Sequence, residues 1–274
     1  MSLSSKIFRR FSQSLGPSAL FATVFCLVVG VGTPTWAETA YPCAPIDDSH
    51  AALTIVLRAH IQGGLVDYSG LKGAGQQKLT AYLKSLANEC PKHYAESSRE
   101  AKLSYWLNYY NAATLQLILQ NHPVPSIMAI GPKKGAAFDI PLVEARVLGN
   151  GKVSLNHLEN DIIRPLFKEP RIHVALVCAA ISCPSLQAEA FRGDFLETQL
   201  ASLTKRFLSD PAKNQLNTAG NQVLLSKIFE WYLQDFGGSH AGLLSWIDSQ
   251  LPAAKVAGKK VAFSDYDWAL NQTK

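Results

Sequence analysis

"SREAKLSYWLNYYNAATLQLILQNHP", residues 98–123, is the strongest periodic stretch of the chain, and its reading decides the fold. Leu103, Trp106, Leu107, Tyr110, Thr114, Leu117 and Ile118 recur at three- and four-residue spacing, the repeat of one helix side over four turns. Glu100 stands near the positive start and Pro123 just beyond the end. The pattern predicts a core helix. Asn108 and Asn111 break it, and a buried amide without a partner costs about 1–3 kcal/mol. They therefore clamp loop backbone, the plainer role, or contact a ligand.

Upstream, Gln76–Asn88 repeats the helical spacing with Leu79, Tyr82, Leu83 and Leu86, after glycine-rich turns that flank a short extended piece, Leu65–Tyr68. Downstream, Pro141–Leu148 and Lys152–Leu155 flank a hairpin turn at Asn150-Gly151. Ser154 can cap a helix running to about Arg164, where Pro165 limits it. "RIHVALV" (171–177) is apolar and β-rich, as a central strand would be. Strand alternation would then turn His173 and Cys178 to opposite faces. Helices follow at Ala188–Leu208, at "LLSKIFEWYLQDFGG" with Ser226 as cap and Gly237 as stop, and at Leu243–Gln250. Trp231, Tyr232 and Phe236 read as core. The expected fold is α+β: a helix-rich single domain around a small sheet with one β-hairpin.

The first 37 residues read as a leader. Lys6, Arg9 and Arg10 precede an apolar run of about 13 residues, short of the roughly 20 that span a bilayer, and Thr35 and Ala37 supply the small residues of a cleavage site. The expected location is exported, periplasmic or extracellular. Residues 38–62 are a lead segment and 63–271 the domain. Those 37 residues hold three of the 26 basic side chains and none of the 21 acidic ones, so the remainder carries a net charge of +2. That near-neutral balance argues against nucleic acid, whose phosphates call for a concentrated basic face. No second long apolar stretch follows, so no membrane span is expected once the leader is removed.

Cys43, Cys90, Cys178 and Cys183 lie beyond the leader, and an even number in an exported chain invites pairing. Cys43 in a proline-rich lead and Cys90 at a helix end form one candidate pair; Cys178 and Cys183 form an alternative one. No CxxC or HxxxH spacing points to zinc, and no metal or cofactor is expected. Cys178, at the end of the expected strand, is a candidate nucleophile if an imidazole from elsewhere serves it, with His122, His157 or His240 available. It is equally a small residue filling a core.

Six phrases in order, "GLVDYSGLK", "YWLNYYNAATLQLIL", "VSLNHLENDIIRP", "RIHVALVCAAISCPSL", "LLSKIFEWYLQDF" and "DYDWALN", resemble the DUF547 family, a domain of unknown function, over residues 63–271. The resemblance implies an exported single-domain protein of the bacterial type. Carried onto matched positions, it marks Asn108, Asn111, Glu159, Arg164, Arg171, His173, Cys178, Asp235 and Asp267 as the motif's polar residues. Members show Glu-His where this chain has Glu159-Asn160; if that histidine is the family's general base, this chain lacks it, with His157 one turn earlier as the substitute. Two functions follow. One is a binding domain for a protein or small envelope ligand, with Asn108, Asn111, Arg171 and His173 as contacts. The other is a thiol-dependent amide hydrolase or transferase using Cys178, His157 and Glu159.

Overall fold

A computed structural model describes residues 43–273 apart from Asn150 and 217–219. The leader expected over 1–37 lies outside the described residues. The predicted core helix forms as one element, Arg99–Asn121, with the Ser98 side chain accepting from the Ala101 amide at its start. Burial is unbroken from Leu103 to Leu115, so the helix is enclosed on all sides where a one-sided stripe was expected. Its polar tips are therefore paired. Tyr105 donates to the Leu86 carbonyl, Trp106 Nε1 to the Tyr94 hydroxyl and Tyr109 to the Glu144 carbonyl.

The two asparagines also close backbone. Asn108 holds Phe191 at two points, donating from Nδ2 to its carbonyl and accepting from its amide, both at 2.8 Å. Asn111 does the same across a gap, donating to the Ala175 carbonyl and accepting from the Val177 amide at 2.9 Å. The helices Ala51–His60 and Ala74–Ala87 lie to one side of this pillar in sequence, and Leu196–Ser209 and His240–Gln250 follow it. Gly193 comes so close to the pillar's first turn that a Cβ there would meet the Ala101 backbone at 2.9 Å.

The strands are short and paired in twos. β1 (Ile61–Gln62) runs antiparallel to β2 (Leu65–Val66), and β3 (Val143–Glu144) antiparallel to β4 (Lys152–Val153), the expected hairpin. β5 (Gln222–Leu225) and β6 (Lys260–Phe263) pair in parallel. The architecture is the helix-rich α+β expected, but its sheet content is three separate pairs among the described residues.

Residues 171–177 are not a strand. Pro170–Val174 is a 3₁₀ turn with Glu169 capping the Arg171 amide, and the chain then bends through Ala175. The β-rich composition loses because Pro170 fits the first helical turn and Asn111 takes up the backbone groups a neighbouring strand would have used. Two further elements differ from expectation. Residues 188–195 are not α-helical, and the α-helix expected from Ala188 begins only at Leu196. The helix after Ser154 passes through a π-helical stretch, Leu158–Ile163, and continues past Pro165 to Phe167. Glu159, four residues after the buried Leu155, is buried in this stretch, while Asn160 and Asp161 stay exposed.

Candidate functional site

Val177, fixed by Asn111, delivers Cys178 to a cavity of about 260 Å³. Ala179 follows in the left-handed region (φ 60°), which turns the chain sharply toward Cys183. The loop is then sewn to the segment 266–271. Ile181 donates to the Ala269 carbonyl at 2.8 Å, Ser182 to the Asp267 carbonyl at 3.1 Å, and Asp267 donates back to Ser182 Oγ at 2.8 Å. This stitching brings Tyr266 and Trp268 to the cavity beside Trp231 of the helix Lys227–Trp231. Trp231 stacks on Trp268 with ring centres 5.8 Å apart, and Tyr266 packs on both. Trp231 is 46% exposed, so this aromatic wall reaches solvent.

Glu159 and His173 give the lining a polar part, and Asp235 and Arg164 support His173 from outside that lining. His173 Nε2 lies 2.7 Å from Asp235 Oδ2, and Arg164 forms a two-point pair with the same carboxylate at 2.7 and 3.0 Å. His173 stacks on Tyr232 at 3.8 Å between ring centres, and its Nδ1 lies 3.8 Å from Glu159 Oε1. The His173 hydrogen bond, with Arg164 beside it, holds the Asp235 carboxyl well below the usual carboxylate range. Burial, reinforced by Glu159, pushes the Tyr232 phenol far above its ordinary value, so it stays protonated.

The two cysteines meet at the cavity floor. Cys178 is half-buried and Cys183 buried; both are free, with their sulfurs 2.8 Å apart. Cys183 Sγ accepts from the Cys178 thiol and from the Cys178 backbone amide at 2.9 Å. Burial alone would raise the Cys183 thiol, but these two hydrogen bonds outweigh it and hold it below the ordinary range. Cys178 is raised, first because its proton is engaged by Cys183 and then by burial. Tyr266 Oη lies 3.2 Å from Cys178 Sγ.

Of the residues singled out in the sequence, the structure gathers Glu159, His173 and Cys178 around this cavity, with Cys183 alongside. It leaves the others elsewhere. His157 is exposed and faces Asp161 at 3.0 Å. Arg171 is clamped by Glu169 and Glu197, and Asn108 and Asn111 are spent on backbone. Cys43 and Cys90 are joined in a disulfide, Cα to Cα 5.0 Å, tying the lead segment to the body. Asn160 is exposed, donates to the Asn156 carbonyl and accepts from Arg164. It stands outside the cavity lining.

Trp231 and Tyr232, read from sequence as core, line the cavity; Phe236 is the one of that trio that is buried. The wall formed by Tyr266 and Trp268 was not read as a site either. The signal available was the resemblance phrase "DYDWALN", which places both aromatics two residues apart. Among the described residues no group of three or more His, Cys, Asp or Glu side chains could hold a metal ion, and no helix is long and apolar enough to cross a membrane.

These features define a helix-rich α+β domain with an aromatic cavity floored by two thiols. Residues 94–208 match the family DUF547, described as a protein of unknown function, so the family resemblance holds over that stretch. No curated protein and no solved structure matches the chain.

Proposed function

We propose that this is an exported binding domain whose ligand is a small molecule with a flat apolar face. The observation that carries the reading is the cavity itself. Its volume suits a ligand of a few rings or a short chain, and one wall offers the stacked faces of Trp231, Tyr266 and Trp268. Glu159 and the Cys178 thiol supply the few polar groups that orient a ligand in such a site. The exported location rests on the leader-like residues 1–37.

The test is ligand-observed NMR with indole, phenyl β-glucoside and benzylamine as probes. At least one should bind to the wild type and lose most of its signal transfer with Trp268→Ala, provided circular dichroism shows that the variant is folded. Transfer from none of the three, or transfer unchanged in a folded Trp268→Ala protein, overturns the reading.

A thiol-dependent amide hydrolase or transferase is the second reading. One observation favours it: the bend at 170–175 brings Cys178 and His173 to the same cavity, where strand alternation would have parted them. The partners of the imidazole weigh against it, because both ring nitrogens of His173 face carboxylates, Nε2 Asp235 at 2.7 Å and Nδ1 Glu159 at 3.8 Å. Rapid alkylation of Cys178 near neutral pH, together with hydrolysis of an acyl amide that Cys178→Ala abolishes, would support this reading over the first.

A further inference from the structure

We propose that Cys178 and Cys183 are a redox-active dithiol, which closes to a disulfide by exchange with a small-molecule dialkyl disulfide admitted through the aromatic cavity. This goes beyond the binding reading and does not depend on which ligand the cavity holds.

The geometry is that of a pair ready to close. The sulfurs stand 2.8 Å apart, and a disulfide needs about 2.05 Å. The left-handed Ala179 and the stitching of Ile181 and Ser182 to the segment 266–271 fix the loop between them, so closure takes a small side-chain movement within a held backbone. Both sulfurs line the cavity, and Cys178 is the more exposed of the two. The Cys43–Cys90 disulfide is elsewhere, tying the lead segment to residue 90.

The partners of the two sulfurs suit exchange. Cys183 Sγ, with two donors aimed at it from Cys178, carries the thiolate character of the pair. As Cys178 Sγ attacks the incoming disulfide, its proton passes along the existing hydrogen bond to Cys183. The new bond joins Cys178 to one half of the reagent, the external S–S bond breaks, and the other half leaves as a thiolate. Tyr266 stays protonated because burial raises its phenol far above the ordinary value, so its hydroxyl can donate to Cys178 Sγ as charge reaches that atom. Cys183 then gives up its proton and attacks Cys178 Sγ, expelling the second half. Two cysteine thiols are oxidised to one disulfide, and one external disulfide is reduced to two thiols. With Cys183 starting as the thiolate, the pair holds one proton, that of Cys178; it ends on one of the two released thiolates, and the other takes its proton from water.

Lys213 supports the Cys183 side of the loop. Its ammonium donates to the carbonyls of Ile181 and Cys183, the latter at 2.6 Å, and so places a positive charge near the sulfur that carries the negative one.

The experiment treats the full folded protein with 2-hydroxyethyl disulfide, followed by alkylation in denaturant and mass spectrometry. The wild type should lose the Cys178 and Cys183 thiols together and release two reagent thiols per protein. Cys183→Ser should stop at a stable one-to-one adduct on Cys178, and Cys178→Ser should leave Cys183 unmodified. Two intact thiols in the wild type overturn the proposal, as does an adduct found on Cys183 in the Cys178→Ser variant. Circular dichroism on each variant separates these outcomes from misfolding.

Discussion

Asp235 holds His173 by a 2.7 Å hydrogen bond from Nε2 to Oδ2, and the same oxygen lies 2.7 Å from Nε of Arg164. One carboxylate from the turn Leu233–Phe236 thus orients an imidazole and a guanidinium that come from two other segments. Asp235→Ala should remove both restraints and lower stability by about 2 kcal/mol, the worth of hydrogen bonds to a charged group. Chemical denaturation checks this. A variant as stable as the wild type would show that the carboxylate is not needed to hold the polar part of the lining.

A buried histidine sets an acid limit away from the cavity. His50 is 3% exposed, its Nδ1 lies 2.7 Å from the Tyr82 hydroxyl, and burial pushes its pKa down to about 4. The unfolded chain takes up a proton there from about pH 6.5 downward, whereas the folded one resists until about pH 4. The stability His50 allows is therefore present above pH 6.5, falls as the pH drops, and levels off below 4. The loss should reach about 2 kcal/mol by pH 5. Asp235, Glu169 and Glu197, all held below their ordinary values, lose their contributions only at lower pH. His50→Gln should flatten the denaturation midpoint between pH 7 and 5; an equal slope in both proteins would refute the assignment.

Asn108 and Asn111 make the same kind of clamp on different loops, which allows a paired test. Replacing either by alanine leaves one buried carbonyl and one buried amide unpaired, a cost of about 2–4 kcal/mol. Only Asn111 touches the segment leading into Cys178. Alkylation of Cys178 should therefore quicken in Asn111→Ala and stay near the wild-type rate in Asn108→Ala. Equal rates in the two variants would mean that Asn111 does not set the thiol's position.

The Cys43–Cys90 disulfide closes a loop with a sequence separation of 47. Its chain-entropy contribution is about 4 kcal/mol. The Cys43→Ser, Cys90→Ser double variant should unfold at lower denaturant by that order, with the cavity's thiols unchanged in reactivity. A loss of reactivity at Cys178 would show that the lead segment supports the site after all.

The helices were legible where one physical signal dominated. The three- and four-residue spacing of residues 103–118, the Ser226 cap and the Gly237 stop each specify local structure without help from distant contacts. The strand expected at 171–177 failed because its hydrophobicity reports burial, which a strand and a buried turn share. What decided between them was Asn111, more than sixty residues away in the chain. Glu159 was marked only by resemblance. Its place four residues after the buried Leu155 puts it on the inward side of the helix from Ser154, but a carboxylate there is at odds with the apolar pattern by which burial is read. Trp231 looked like core because aromatic residues usually are; its exposure depends on the parallel pair and the 266–271 segment beside it.

The cavity's walls come from stretches far apart along the chain, and the family match covers only some of them. Residues 94–208 contain Glu159, His173 and both thiols, but Trp231, Asp235, Tyr266 and Trp268 lie beyond that stretch. A fragment cut at the match boundaries would keep the thiols and lose the wall that faces them, and it would leave His173 without its carboxylate. The recognisable unit and the working unit are therefore different lengths of polypeptide. Comparing relatives by the matched stretch alone would pair proteins with the same floor while ignoring the aromatic wall.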